Sequence, residues 1–287
     1  MAQSVEQAFE VLLERQLLTP GQAETAKTRV AGLANFFVDT FSMAEQPFPM
    51  GSYARDTICR SERDIDLMAP FSVPEYWERY KRDSRAFLYW VRDWLNDRYF
   101  ATKVSSKQVA VTLDFTVIVA DVAPCFRRTG GGYLMPNGRG GWMATNPLFH
   151  TRLIGEADTA RGRRLRPLIR LIKFWNIANG HHLRSFHVEL MVKRMWDDRS
   201  IPEWPTAVAK TLGVMGGWVR SQMDDPWPDG TRVDAYLSAN LRSQVIRMLG
   251  DDAKAAATAE EYRQAGKVEA AFERWGVIYR HQFPAYG

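Results

Sequence analysis

Gly51-Ser52-Tyr53-Ala54-Arg55-Asp56-Thr57, followed by Arg63-Asp64-Ile65-Asp66-Leu67-Met68, is the stretch on which the reading of this chain turns. Side chains on a β-strand alternate between its two faces. Asp64 and Asp66 therefore share one face, about 7 Å apart along the strand, while Ile65 and Leu67 turn toward a core. Two like charges at that spacing repel each other unless a cation lies between them. Mg2+ is a hard ion that takes one or two carboxylates together with substrate phosphates. The Gly51-Ser52 turn offers a hydroxyl and free backbone N–H groups to a triphosphate. The pattern points to metal-dependent nucleotidyl transfer.

A third acid strengthens it. Asp121 lies within the apolar run Val117-Ile118-Val119-Ala120-Asp121-Val122-Ala123-Pro124. An acid in such a strand carries a large desolvation cost unless it meets a cation or strong donors. If this strand lies beside the Asp64 strand, Asp121 completes a three-carboxylate cage for two Mg2+ or Mn2+ ions about 4 Å apart. One ion would activate a sugar hydroxyl and the other would neutralise the triphosphate. Asp114, in Val111-Thr112-Leu113-Asp114-Phe115, competes for the third place. It precedes a predicted turn, where an exposed Asp is ordinary, so the more buried Asp121 needs the stronger explanation. The plainer alternative for Asp64 and Asp66 is a solvated strand face balanced by Arg60 and Arg63.

The composition fits an enzyme of small polyanionic substrates. The 287 residues are 46% hydrophobic and 25% charged, ordinary for a globular protein. That length allows two lobes or one large domain. The net charge of +5 suits phosphate-rich ligands and permits nucleic acid without requiring it. Two cysteines, Cys59 and Cys125, exclude a disulfide framework and point to a reducing cytosol. The start of the chain threads charges among its apolar residues, unlike a secretory signal, and no run is long and apolar enough to span a bilayer.

Helical spacing is predicted over residues 4–18, from Gln22 to about Met43, and from Pro74 to Tyr99. Between the last two lie a short strand into Gly51 and the Asp64–Met68 strand. Two strands follow, Lys107–Phe115 and Val117–Cys125, and then a mobile Gly-rich loop over 130–141. From Asn146 onward the text reads as helix: about 147–158, 162–179, 185–198 and three more in 203–284. The change from strand to helix near residue 146 divides the chain into a catalytic lobe, 1–145, and a helical lobe, 146–287, closing over the cleft, an α+β plan.

These motifs together resemble the DNA polymerase beta-like nucleotidyltransferase superfamily, and within it the bacterial cGAS/DncV-like nucleotidyltransferases (CD-NTases). The likeness rests on Gly51-Ser52, Asp64-Ile65-Asp66-Leu67-Met68 and Asp121-Val122-Ala123-Pro124. It extends to Gly141-Trp142, Asn146-Pro147, His150, Leu171-Ile172-Lys173-Phe174-Trp175-Asn176 and Leu183-Arg184-Ser185-Phe186-His187-Val188-Glu189. It covers about residues 48–195. The resemblance implies a mixed sheet flanked by helices, with a second helical lobe across the cleft. It also implies synthesis of a cyclic di- or trinucleotide second messenger in anti-phage (CBASS) signalling, by a cytoplasmic, monomeric enzyme.

By position, the resemblance makes Asp64, Asp66 and Asp121 both catalytic and metal-binding. Gly51, Ser52, Lys173 and Ser185 would bind the triphosphate, and Phe186 would stack on a base. A Lys is a point charge for phosphate, and a Ser at a helix N-terminus adds a hydroxyl. Read singly, Lys173 is a surface charge, Ser185 a helix cap and Phe186 a core residue. Arg55 is a further phosphate candidate, and the basic run Arg161–Lys173 is a solvated face or part of the cleft. No zinc pattern accompanies the two cysteines, which argues against direct activation by duplex DNA. A terminal Gly287 is compatible with attachment to ubiquitin-transfer-like accessory partners. Two other functions share the first lobe: a non-cyclising transferase acting on RNA ends, a small molecule or a protein, and a catalytically silent nucleotide sensor.

Overall fold

The computed structural model describes residues 2–287. Along the chain, α1 (Val5–Gln16), α2 (Pro20–Thr40), β1 (Phe48–Met50) and a single turn, α3 (Gly51–Ala54), lead into β2 (Asp64–Phe71). Next come α4 (Val73–Tyr80), α5 (Ser84–Arg98), β3 (Lys103–Ser106), β4 (Val111–Asp114), β5 (Val119–Arg127), β6 (Tyr133–Pro136) and β7 (Trp142–Thr145). The rest is helical: α6 (Pro147–Ala160), α7 (Leu165–Ala178), α8 (Ser185–Trp196), α9 (Trp204–Arg220), α10 (Ala239–Gln264) and α11 (Val268–Ile278).

The strands form one mixed sheet in the order β1-β2-β5-β4-β3, with β6 on the far end of β5 and β7 beside β6. The two central strands, β2 and β5, run parallel, and every other pairing is antiparallel. Their alternation separates two chemistries, as a pleated strand must. Ile65, Leu67, Ala69 and Phe71 of β2 join Ala120 and Val122 of β5 in a core closed by Leu33 and Phe37 of α2 and by Phe87, Val91 and Leu95 of α5. On the other face Met68, Ala123 and Cys125 make a small apolar patch with Tyr133 and Met135. The acids lie on that second face, beyond the patch.

A separate and larger core fills the helical half, centred on Ile169, Ile172 and Trp175 of α7 and Met191 of α8. Helix α1, although first in the chain, belongs to this second core through Phe9 and Leu12. Phe9 packs edge-on against Trp275 of α11, with ring centroids 4.8 Å apart. Helix α2 then starts the sheet-bearing half, opened by a capping box in which Thr19 and Gln22 satisfy each other's backbone N–H groups.

Three local expectations are corrected. The helix predicted over Pro74–Tyr99 is two helices, because the Asp83 carboxylate caps a fresh start by accepting from the N–H groups of Arg85 and Ala86. The end of α4 is sealed from outside, since Trp142 donates its indole N–H to the Lys81 carbonyl at 3.0 Å. The strand predicted over Lys107–Phe115 shortens to β4, with Lys107 left in the connection from β3. The Gly-rich segment is not a plain loop: it contains the β6–β7 hairpin, whose turn is tied by the Asn137 side chain accepting from Arg139 and Gly141 N–H groups.

Candidate active site between the lobes

The register of the parallel pair sets Asp66 directly beside Asp121 and Asp64 beside Val119. Paired residues share a face, so Asp64, Asp66 and Asp121 all stand on one side of the sheet. Asp114 pairs with Val119 on the neighbouring strand, one step further out and exposed at the rim. Of the two candidates for the third place, only Asp121 is adjacent to Asp66.

Gly51 follows the β1 residue that pairs with Asp66. It adopts φ +66°, a left-handed conformation that glycine takes without a steric cost. A Cβ on this residue would lie 1.9 Å from Oδ2 of Asp66. The glycine thus serves two needs at once, the turn and the close approach of backbone to carboxylate. Ser52 stands in the first position after it, half-buried, in the turn of α3.

The acids burden each other. Burial, then the charge of Asp121, pushes the Asp66 carboxyl up to about 7. The same two causes raise Asp64. Relief comes from Lys107, whose ammonium donates to Asp121 Oδ2 at 2.7 Å, while Thr112 donates to Oδ1. Partial burial would lower Lys107, but its hydrogen bond to Asp121 and the surrounding carboxylates hold it above its ordinary value. Among the described residues, no three His, Cys, Asp or Glu side chains are already drawn together as a metal cluster. Asp121 is instead engaged by Lys107. An all-oxygen donor set with a lysine ammonium standing in for the cation is the chemistry that a hard divalent ion fits.

The opposite wall comes from the helical half. A cleft of 410 Å3 opens between Gly51, Arg55 and Asp66 on one side and His150, Phe186, Asp225 and Arg232 on the other. It continues into a second hollow of 940 Å3 bordered by Lys107 and Arg139, the two sharing Met143, Arg184 and Thr231. Phe186 does line the cleft, with its ring centroid 4.9 Å from the Arg55 guanidinium carbon and 4.5 Å from the His150 ring. His150 Nε2 is 2.7 Å from Asp225 Oδ1, a pair that local spacing could not reveal because 75 positions separate its members.

The two halves are fastened below the cleft by buried ion pairs. Arg55 binds Glu189 through two nitrogens, at 2.6 and 3.1 Å, and Thr57 donates to the same carboxylate. Burial alone would raise Glu189, but the Arg55 charge and hydrogen bonds prevail and lower it. Arg55 is therefore paired with Glu189 while it lines the cleft. Arg170 likewise binds Asp56 through its side chain and backbone. Lys173 and Ser185 do converge, although on Glu62: Lys173 Nζ donates to Oε2 at 2.6 Å and Ser185 Oγ to Oε1 at 2.7 Å. Lys173 is 1% exposed, a buried ion-pair partner rather than a surface charge.

A mixed sheet presenting acids from two adjacent parallel strands, under a Gly-Ser turn and facing a helical lobe, defines a nucleotidyltransferase of the polymerase beta-like class. Residues 3–157 match the Second Messenger Oligonucleotide or Dinucleotide Synthetase domain. The chain belongs to that family and is a nucleotidyltransferase. Among curated relatives, a probable cyclic nucleotide synthase of Bacillus cereus (strain VD146) is 22% identical, the match covering 82% of this chain and 81% of that protein. A cyclic AMP-AMP-AMP synthase of Acinetobacter sp. is 26% identical over 51% of this chain and 45% of its own length. Among solved structures, the fold is shared with a chain of the E. coli MS115-1 CdnC:HORMA-deltaN complex, at 18% identity, 98% coverage of both chains and a TM-score of 0.77. No helix among the described residues is long and apolar enough to cross a membrane.

Proposed function

We propose that this chain joins nucleoside triphosphates into a cyclic di- or trinucleotide second messenger, releasing pyrophosphate, in cytoplasmic anti-phage (CBASS) signalling. Family membership and the cyclic nucleotide synthases among its relatives support the reaction class. The observation that carries the site is the pairing of Asp66 with Asp121 across two parallel strands, under the close approach of Gly51.

Asp64, Asp66 and Asp121 would hold the divalent cations, two Mg2+ or Mn2+. Such ions neutralise phosphate charge and make a hydroxyl easier to deprotonate. Everything else is assigned to the chain's own groups. Ser52 and the turn at Gly51 receive the triphosphate from the sheet side, and Lys173 and Ser185 from the helical side. Phe186 offers a base a stacking face, an interaction worth about 1–3 kcal/mol where it forms. Asp121 accepts the proton of the attacking sugar hydroxyl once Lys107 yields its place. An accessory protein is part of the proposal: a HORMA-type regulator, by analogy with the partner in the E. coli complex.

Incubation with four labelled nucleoside triphosphates and Mg2+, followed by phosphatase, tests this reading. A resistant product of defined mass is expected, and none from Asp66→Ala or Asp121→Ala in protein that remains folded. Full product from both variants would remove Asp66 and Asp121 from the mechanism.

A further inference from the structure

Glu62 is the group in this site that no expectation accounts for. It lies in the turn that feeds β2, two positions before Asp64. Its carboxylate reaches from the sheet-bearing half to the helical half and accepts from Lys173 Nζ at 2.6 Å, Ser185 Oγ at 2.7 Å and the Cys59 N–H at 3.1 Å. His181 Nε2 stands 4.0 Å from the same carboxylate. The side chain is 9% exposed, and Lys173 beneath it is 1% exposed. Lys173 has one further acceptor, the Thr57 carbonyl at 2.9 Å. An ammonium, a hydroxyl and a backbone N–H aimed at one point form a receptor for a compact anion with several acceptor oxygens. A terminal phosphoryl group has that character, and Glu62 satisfies the same donors from within the chain.

We infer that Glu62 is an intramolecular competitor for the terminal phosphate of the nucleoside triphosphate. It holds the Lys173–Ser185 receptor in the nucleotide-free enzyme and must leave for the triphosphate to engage both donors. The inference rests on the proposed function, since it takes Lys173 and Ser185 as triphosphate ligands. The local backbone is built for such an exchange. The adjoining Arg63 sits at φ +54°, a conformation uncommon for a residue with a side chain. Glu62 is therefore fixed by its carboxylate contacts at the end of a short turn rather than by a regular element. Because the carboxylate is tethered beside Asp64, its displacement links triphosphate binding to the strand that carries the acids. Electrostatically the exchange is self-consistent: Lys173 never faces the buried site without an anion, which would be costly.

The competition sets a measurable penalty. If the receptor is free of Glu62 in about one molecule in ten, the apparent dissociation constant is raised about tenfold above the intrinsic one. Glu62→Gln keeps the size and an acceptor for Ser185 but removes the charge that holds Lys173. Binding of inorganic tripolyphosphate, of ATP and of adenosine, each with Mg2+, is compared in wild type and Glu62→Gln by calorimetry, beside KM for product formation. The expected result is about tenfold tighter tripolyphosphate and ATP binding and a correspondingly lower KM, with adenosine unchanged.

Glu62→Asp serves as the second variant: it keeps the charge on a shorter arm and is expected to fall between the two. Unchanged or weaker tripolyphosphate binding by a folded Glu62→Gln protein overturns the inference and leaves Glu62 a structural ion-pair partner. Equal tightening for adenosine overturns it too, because the competition would then not be for phosphate. The underlying functional reading fails separately, by a wild-type enzyme that binds no triphosphate and makes no product.

Discussion

Replacing Gly51 with Ala asks more of the site than any change to a charged residue, because only one methyl group is added. The added Cβ meets Asp66 Oδ2 at 1.9 Å, far inside contact distance, at a backbone φ of +66°. The left-handed conformation alone costs a side-chain-bearing residue about 1–2 kcal/mol. Asp66 is held on its strand beside Asp121, so either its carboxylate rotates away from Asp121 or the turn moves off the sheet by about 1 Å or more. A displacement of that size at reacting groups costs on the order of a hundredfold in rate. Gly51→Ala is therefore expected to lose about 1–3 kcal/mol of stability in urea denaturation and about a hundredfold or more in product formation. Gly21→Ala is the control: it lies in the first turn of α2 with nothing within 4 Å of the new Cβ. It should be neutral or slightly stabilising. A Gly51→Ala enzyme within twofold of wild-type activity at unchanged stability would refute the close-approach argument.

Asp66→Asn should abolish product yet stabilise the metal-free protein at neutral pH. The Asp66 carboxyl is held up at about 7, so in wild type the folded state binds a proton that the unfolded state has lost, and stability falls as pH rises from about 4 to about 7. Denaturation midpoints between those pH values should show a flatter profile for the variant, and an identical profile would contradict the shift. His187 acts in the opposite sense: burial holds its ring neutral, with the pKa lowered to about 4. Wild-type stability contributed by this ring is intact above pH 6.5 and declines by up to ~3 kcal/mol as pH falls from 6.5 toward 4; His187→Gln should remove that component of the acid titration. Arg55→Ala leaves Glu189 as an uncompensated charge at 0% exposure, with an expected loss of about 3–5 kcal/mol in chemical denaturation. Adding Glu189→Gln should restore part of it, and strict additivity of the two changes would mean the pair is not coupled.

Much of the site was legible because strand alternation is a local rule. Asp64 and Asp66 had to share a face, and the apolar run around Asp121 marked a central strand whose acid needed company. The break within Pro74–Tyr99 was also legible in principle, since Asp83-Ser84 is a helix-start signal that the surrounding aromatic periodicity masked. The same holds for the β6–β7 hairpin, in which Tyr133-Leu134-Met135 and Trp142-Met143 are apolar runs flanking an Asn-Gly turn. What local spacing does not encode is the partner of a charge. Lys107 and Asp121 lie 14 positions apart, Glu62 and Lys173 lie 111, and Arg55 and Glu189 lie 134. Such pairs form where tertiary packing brings separate elements together, and the sequence marks each member only as an unremarkable charged residue.

Phe9 is gripped by Trp275 and Phe283, and the Ala2 backbone is bridged to Tyr286, so the two chain ends are knotted into the same half. The polypeptide consequently crosses the waist twice, once between α1 and α2 and again at Asn146. Trimming residues 2–16 should therefore strip the cover from Trp275 and Phe283 and loosen the helical half, although those aromatics lie at the other end of the sequence.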